Sequence, residues 1–495
     1  MKRYRPYVPT QSYLLPPSPS EWLPEGHLVY FVLDLVADLD LSAIEDRMQA
    51  KDPRGERPYA PRMMTALLLY GYATGVFSSR KIARATYEDV GFRVLAGSAH
   101  PHFTRVNEFR ATHRAALAEL FVQVLQLCRA AGLAKLGQVA IDGTKMKANA
   151  SKHKAMSYDR MQKDEMRLKA EIEALLARAD NADAAEDAQY GVGQEPEDVP
   201  AELKRREDRL AVIRAARAAL EQEAAAARAA ELIAQADELR AKAADPDTSA
   251  SASAACTTLA AQRDQQAAEL DDDDRDPPAP RPDDDLPRHA PPTEPDGTPK
   301  PKAQRNFTDP ESRIMMRDGG FLQAYNAQIA VDEDHQIIVA AAVGNQAPDA
   351  EYFEPMLERI VDTCNAVPTS MTADTGYFSA ANVHAAEHMG TEPFISTGRQ
   401  RRGRRAETLP ESRPPTEAAR RMRATLDDPR GRAIYARRKA TVEPVFGQIR
   451  AARGFHHFSF RGLWKTRCEW LFVCLTHNLL KLYRATSGRP VAQAA

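Results

Sequence analysis

The chain has 495 residues, 43% hydrophobic and 27% charged, with a formal net charge of −2. That length is enough for two or more domains with cores of their own. Five scattered cysteines with no CxxC pair exclude a disulfide framework and a structural zinc site, and no apolar run approaches the roughly 20 residues that span a bilayer.

Residues 1–26 are Pro-rich and read as an extended arm without the apolar stretch of a secretory signal, so a cytoplasmic setting with no membrane partner is expected. Residues 27–135 read as an all-α domain. A helical pattern runs from His27 to Met48, and Pro61 opens a second at its first turn. A third helix is predicted over 78–95 behind a Ser cap, and a fourth over 104–131 behind Thr104. In the fourth, Val106, Phe109, Leu117, Leu120, Phe121, Val124 and Leu125 form one stripe that leaves Arg105, Asn107, Arg110 and Arg114 outside it. Two readings of these last helices stand. Either they form a helix-turn-helix with Arg80, Lys81, Arg84, Arg105, Asn107 and Arg110 facing DNA, or they form a bundle with solvated charges.

The β-prone run Gln138–Ile141 predicts a strand that ends at Asp142 and Gly143. Over 156–245, Met161, Leu168, Ile172 and Leu175, then Leu203, Leu210, Ile213 and Leu220, recur at helical spacings among many charges. That pattern predicts an inserted antiparallel coiled-coil hairpin. Residues 246–302 turn to Asp, Pro, Ala and Ser, too little apolar surface to offset ordering entropy, and are expected to be a disordered acidic linker. From 303 the pattern gives two strands around the turn Asp332–His335, a helix from Asp349, a strand ending at Asp374 and a short strand near 392–397. A basic loop over 398–430 follows, then a helix over Tyr435–Gly454, an amphipathic closing helix to residue 485 and a tail, 486–495. With the insertion removed, 136–155 and 303–485 read strand, strand, strand, helix, strand, helix, strand, helix. This is the order of a mixed α/β core of the ribonuclease-H type.

From Arg399 to Arg453 there are 16 Lys and Arg against 6 Asp and Glu, a local charge of +10 that attracts a polyanion. Arg401, Arg402, Arg404 and Arg405 head this stretch as phosphate contacts or as a solvated loop. Phosphodiester chemistry by two metal ions needs carboxylates converging from distant parts of the chain. Asp142 and Asp374 each stand where a strand hands over to a loop, and Glu443 is a lone acid on a basic helix. Tyr435, Lys439, Glu443, Phe446 and Arg450 share a helical face, so Lys439 and Arg450 either neutralise Glu443 or hold DNA phosphates. Pro444 kinks that helix unless the helix begins near Thr441. Asn326, in the second strand, either supports the site or is a polar core contact.

The stretches VAIDGTKMKANAS, TADTGYFSAANV and YARRKATVEPVFGQIRAARGFHHFSFRGLWK resemble the three catalytic blocks of bacterial insertion-sequence transposases of the DDE type. The last is similar to their Tyr-Arg-Glu-Lys signature, with Tyr435, Arg438, Glu443 and Arg450 in the corresponding places. Arg stands for the usual Lys at 450, and Arg438 lies one residue further from the glutamate than in the commonest version. GVFSSRKIARATYEDVGFRVLAG and HFTRVNEFR resemble the helical N-terminal domain of one transposase subgroup. The resemblance implies a retroviral-integrase-like fold in which Asp142, Asp374 and Glu443 bind two Mg²⁺ ions, Mn²⁺ substituting. It implies cleavage at the ends of an element, strand transfer into a target, and double-stranded DNA as partner (terminal inverted repeats and target). A homodimer would bring two ends together. A metal-dependent nuclease on the same fold, or a decayed DNA-binding protein, is the alternative.

Overall fold

A computed structural model describes residues 21–50, 57–190, 201–270, 286–398 and 416–486. Among the described residues seven helices come first: α1 Leu28–Asp38, α2 Ser42–Gln49, α3 Pro61–Ala73, α4 Ser79–Glu88, α5 Val90–Leu95, α6 Phe103–Thr112 and α7 Arg114–Ala130. Three of the four N-terminal helical predictions split, the first, His27–Met48, between Asp38 and Ser42 into α1 and α2. The helix predicted over 78–95 breaks at Asp89, whose carboxylate caps α5 by accepting from Phe92 N at 3.1 Å. The one predicted over 104–131 breaks at His113.

A mixed sheet forms the centre. Its strands are β1 Gln138–Lys147, β4 Arg313–Arg317, β5 Gly320–Asp332, β6 Ile338–Gly344, β7 Ser370–Ala373 and β8 Glu392–Ile395; β2 Ala155–Ser157 and β3 Gln304–Asn306 form a separate pair. The order is β4-β5-β1-β7-β8, and β6 also pairs with β5. β5 runs antiparallel to β1, whereas β7 runs parallel to β1 and β8 parallel to β7. β1 does not stop at Asp142 as predicted. Its ladder with β5 continues to Lys147↔Ala324, so Asp142 is mid-strand, two residues past the last β1–β7 pairing at Ala140↔Thr372.

Between the two parts of this core lie α8 Tyr158–Tyr190, α9 Ala201–Ala244 and α10 Ala250–Ala268. Met161 and Leu168 of α8 pack on Leu210 and Ile213 of α9, with Ile172 beside them; the side chains of Leu175 and Leu203 lie outside the described residues. The expectation of disorder over 246–302 is corrected in two places. Ser249 caps α10, a helix of small residues whose Ala267 packs on Ala229 and Leu232 of α9. Residues 286–302 run back to β3 through a Thr293–Pro299 bridge. Small side chains let α10 lie close on α9, so little apolar bulk is needed to hold it.

After the sheet's second half come α11 Phe353–Cys364, α12 Ala380–His388, α13 Glu417–Asp427, α14 Pro429–Gly447 and α15 Leu463–Ala485. The basic loop predicted over 398–430 thus contains α13, capped by Thr416 Oγ1 on Ala419 N at 3.2 Å. α14 starts at Pro429 and continues through Pro444. The carbonyl that Pro444 leaves without its helical donor, on Ala440, accepts Gln336 Nε2 at 3.0 Å instead. α15, predicted amphipathic, is buried along most of its length. It lies between the sheet and the N-terminal helices. Asn478 bonds Ile338 N and O of β6 at 2.9 and 2.8 Å, and Tyr72 of α3 donates to Glu469 at 3.2 Å. One apolar cluster therefore runs from Val29 of α1 to Leu482 of α15.

Candidate active site

The parallel register puts Asp142 and Asp374 side by side. Each lies two residues beyond the last matched pair of adjacent strands, which run about 4.8 Å apart. Asp374 directly follows β7 and turns back on itself, its Oδ1 accepting from Gly376 N at 2.8 Å. Asp142 Oδ1 accepts from Gly143 N at 2.8 Å, and Oδ2 faces Arg438 Nη1 of α14 at 3.3 Å.

A third acid, Asp349, stands with them and was not singled out from sequence. Its Oδ1 accepts from Lys145 Nζ at 2.9 Å, Asn326 Nδ2 at 2.7 Å and Gln328 Nε2 at 2.9 Å. A Cβ on Gly143 would lie 2.9 Å from this oxygen, and one on Gly376 would lie 3.6 Å from Oδ2. The glycine after Asp142 is therefore needed for close approach within a strand, not for a turn. Asn326, fully buried, reaches the site through Asp349.

Burial pushes the Asp142 carboxyl up to about 6; the Arg438 guanidinium opposes, while the Asp374 and Asp349 carboxylates add to the rise. Burial and the same three carboxylates hold the Tyr377 phenol protonated, and it donates to Gln328 Oε1.

Glu443 differs. α14 and the π-helical turn Gln448–Ala452 that continues it run along β1, with Gln138 Nε2 on Ile434 O at 2.8 Å, Arg438 at Asp142 and Arg450 Nη1 at 3.4 Å from Thr144 Oγ1. Glu443 lies between those levels. Its side chain is exposed and makes no hydrogen bond or ion pair among the described residues. Among the described residues no group of three or more His, Cys, Asp or Glu is arranged to hold a metal ion. The shared helical face is also different from the predicted one. Phe446 is buried while Lys439 and Glu443 are exposed, and the residue facing Asp142 is Arg438, six per cent exposed, with Tyr435 under its guanidinium at 5.9 Å.

Of the predicted DNA-facing residues, Arg80, Lys81, Arg84, Arg105 and Asn107 are exposed on α4 and α6. Arg84 pairs with Glu88 and Arg105 with Glu108. Arg110 is a correction: it is buried, donating to Tyr72 Oη and Phe77 O at 3.0 Å each, with its guanidinium over Phe460. The break at His113 sets α6 in its own phase, so the face holding Arg110 points at α3 and α15. Arg401, Arg402, Arg404 and Arg405 lie outside the described residues.

Residues 296–479 match the family model of a transposase DDE domain, and residues 17–112 match that of a transposase domain, DUF772. The chain belongs to the insertion-sequence transposases of the DDE type. A ribonuclease-H-like fold goes with the DDE domain, and the mixed sheet agrees with it. The transposase match covers Asp349, Asp374 and Glu443; Asp142 lies outside both matched segments. No match was found among curated proteins or solved structures. No helix among the described residues is long and apolar enough to cross a membrane.

The donor set suits a hard divalent cation. Asp142 on β1 and Asp374 just past β7 offer carboxylate oxygens side by side, and among the described residues the cations paired with the three acids there are Arg438 and Lys145.

Proposed function

We propose that this transposase cuts DNA at the ends of its element and joins the freed 3′-hydroxyl to target DNA, with Asp142, Asp374 and Glu443 as the catalytic acids. The observation that carries the reading is that Asp142 on β1 and Asp374 just past the end of parallel β7 stand side by side, with α14 alongside. Asp142, Asp374 and, turned inward from α14, Glu443 would hold two Mg²⁺ ions, or Mn²⁺ in their place. Such ions activate the attacking oxygen and stabilise the leaving one when bound.

The chain's own groups do the rest. Arg438 fixes the Asp142 carboxylate from α14. Asp349 ties Lys145, Asn326 and Gln328 into a rigid floor beneath both aspartates. Tyr435 and Lys439 of α14 and Arg450 just beyond it hold phosphates, and exposed Arg80, Lys81, Arg84, Arg105 and Asn107 contact the terminal inverted repeats. Two ends are brought together by a homodimer.

The exposed Glu443 favours one rival, a non-catalytic DNA-binding protein. The test offers the protein a pre-cleaved DNA end, taken from the inverted repeats flanking the gene, plus a supercoiled target with Mg²⁺ or Mn²⁺. Joined product is expected. Cleavage without joining would instead assign a nuclease, and binding without either would assign the non-catalytic reading.

A further inference from the structure

β1 leads away from Asp142 into an open cleft of about 670 Å³ at the far end of the β1–β5 pair. Lys147, Lys152, His153, Lys154, His457 and Arg461 line it, and among the described residues no carboxylate does. In a chain of net charge −2 such a segregation of charge is informative. Lys147, Lys152 and Lys154 are exposed and make no ion pair among the described residues.

The floor is held in place. Ala148 N bonds Gln323 O at 2.9 Å, Phe458 N bonds Lys147 O at 2.9 Å, and Asn149 is fixed by Ser459 O at 2.6 Å and Arg461 Nε at 3.0 Å. The cations therefore sit on ordered backbone rather than on a solvated tail. At the rim, Phe321 is 62% and Met316 65% exposed, and they are direct cross-strand partners in the β4–β5 hairpin. An exposed aromatic ring beside unpaired cations is what stacks a base while the backbone is held.

Cations also bridge the gap to the aspartates. Arg450 reaches Thr144, and Arg317 Nη1 donates to Lys145 O at 2.8 Å; the carboxylate near both is Asp318, 78% exposed. From Asp142 to Lys147 is about 16 Å along a strand, or about five base steps.

We propose that this cleft binds the DNA backbone about five nucleotides from the scissile phosphate, with an unpaired base stacked on Phe321. The proposal rests on Asp142 and Asp374 marking the cleavage point, so it is tested by binding alone. The probes are fluorescein-labelled 30-mer duplexes of arbitrary sequence, one blunt and one with a single-stranded overhang of five nucleotides. Their affinity is measured across salt for the wild type, K147A/K152A/K154A and F321A. The triple variant should lower the slope of log affinity against log salt by about 2 to 3, at 0.7–0.9 per lost phosphate contact. F321A should weaken the overhang probe about tenfold and leave the blunt duplex nearly unchanged. An unchanged slope in the triple variant, with wild-type binding intact, overturns the cleft proposal and leaves the cleavage reading standing. Failure of the wild type to bind either probe also overturns the cleft proposal, and the joining assay on the inverted-repeat end decides the cleavage reading separately.

Discussion

Asp142 is held where its charge is disfavoured. The unfolded chain ionises this group near 3.8 and the folded chain at about 6, so between those values the folded state binds an extra proton. The stability from protonated Asp142 is full below the lower value and is lost as pH rises through the upper one. Asp142→Asn is neutral throughout. It should stabilise the metal-free protein at about pH 8 by about 2–3 kcal/mol and match the wild type near pH 4, read as the Tm difference at each pH. The same variant should abolish metal-dependent cleavage. Divalent-metal affinity of the wild type should weaken as pH drops below about 6, because a proton then competes for the Asp142 carboxylate. Equal Tm values at high pH would mean the site does not penalise the charge.

Asp142 and Asp374 were legible because an acid at the end of a β-prone run is a local signal. Asp349 was not, since it precedes a helix like any capping residue. Its importance comes from Lys145, 204 positions away on β1, and Asn326 and Gln328, 23 and 21 positions away on β5, meeting at its carboxylate.

At the scale of elements, periodicity located the strands around Asp332–His335 and the strand before Asp374, but not where helices break. His113 divides one apolar stripe into two helices, and that phase change carries Arg110 into the core. Arg110 and Arg105, five residues apart, should therefore behave oppositely. Arg110→Ala leaves Tyr72 and buried Glu469 short of their cation and should cost about 2–4 kcal/mol by denaturant unfolding. Arg105→Ala removes an exposed pair with Glu108, should change stability by under about 0.5 kcal/mol, and should weaken DNA binding. Loss of stability in both would mean α6 is wholly structural. Pro444 was readable as a problem but not its solution, because Gln336, which takes up the stranded carbonyl of Ala440, lies in a different hairpin.

Across the whole molecule, the insertion leaves and returns at one place. β2 and β3 pair Ala155–Ser157 with Gln304–Asn306, and Tyr158 N bonds Ala303 O at 2.8 Å. Replacing residues 159–302 with a short Gly-Ser link should thus keep the core's circular dichroism and its cooperative unfolding. If α8–α10 make the dimer, the shortened chain should run as a monomer in light scattering where the full chain runs as a dimer; an unchanged mass removes that role. The N-terminal helices are another matter. Sequence separated them at about residue 135, but they share one apolar core with α15, a joining made by contacts more than 300 positions apart that no local pattern records.

The most direct test concerns Glu443, the one acid of the three that stands exposed. Mn²⁺ binding to the DNA-bound protein should be titrated by electron paramagnetic resonance for the wild type, D142N, D374N and E443Q. Two bound ions in the wild type and fewer in each variant are expected. Two ions retained in E443Q would contradict the account and leave Glu443 an exposed acid outside the metal site.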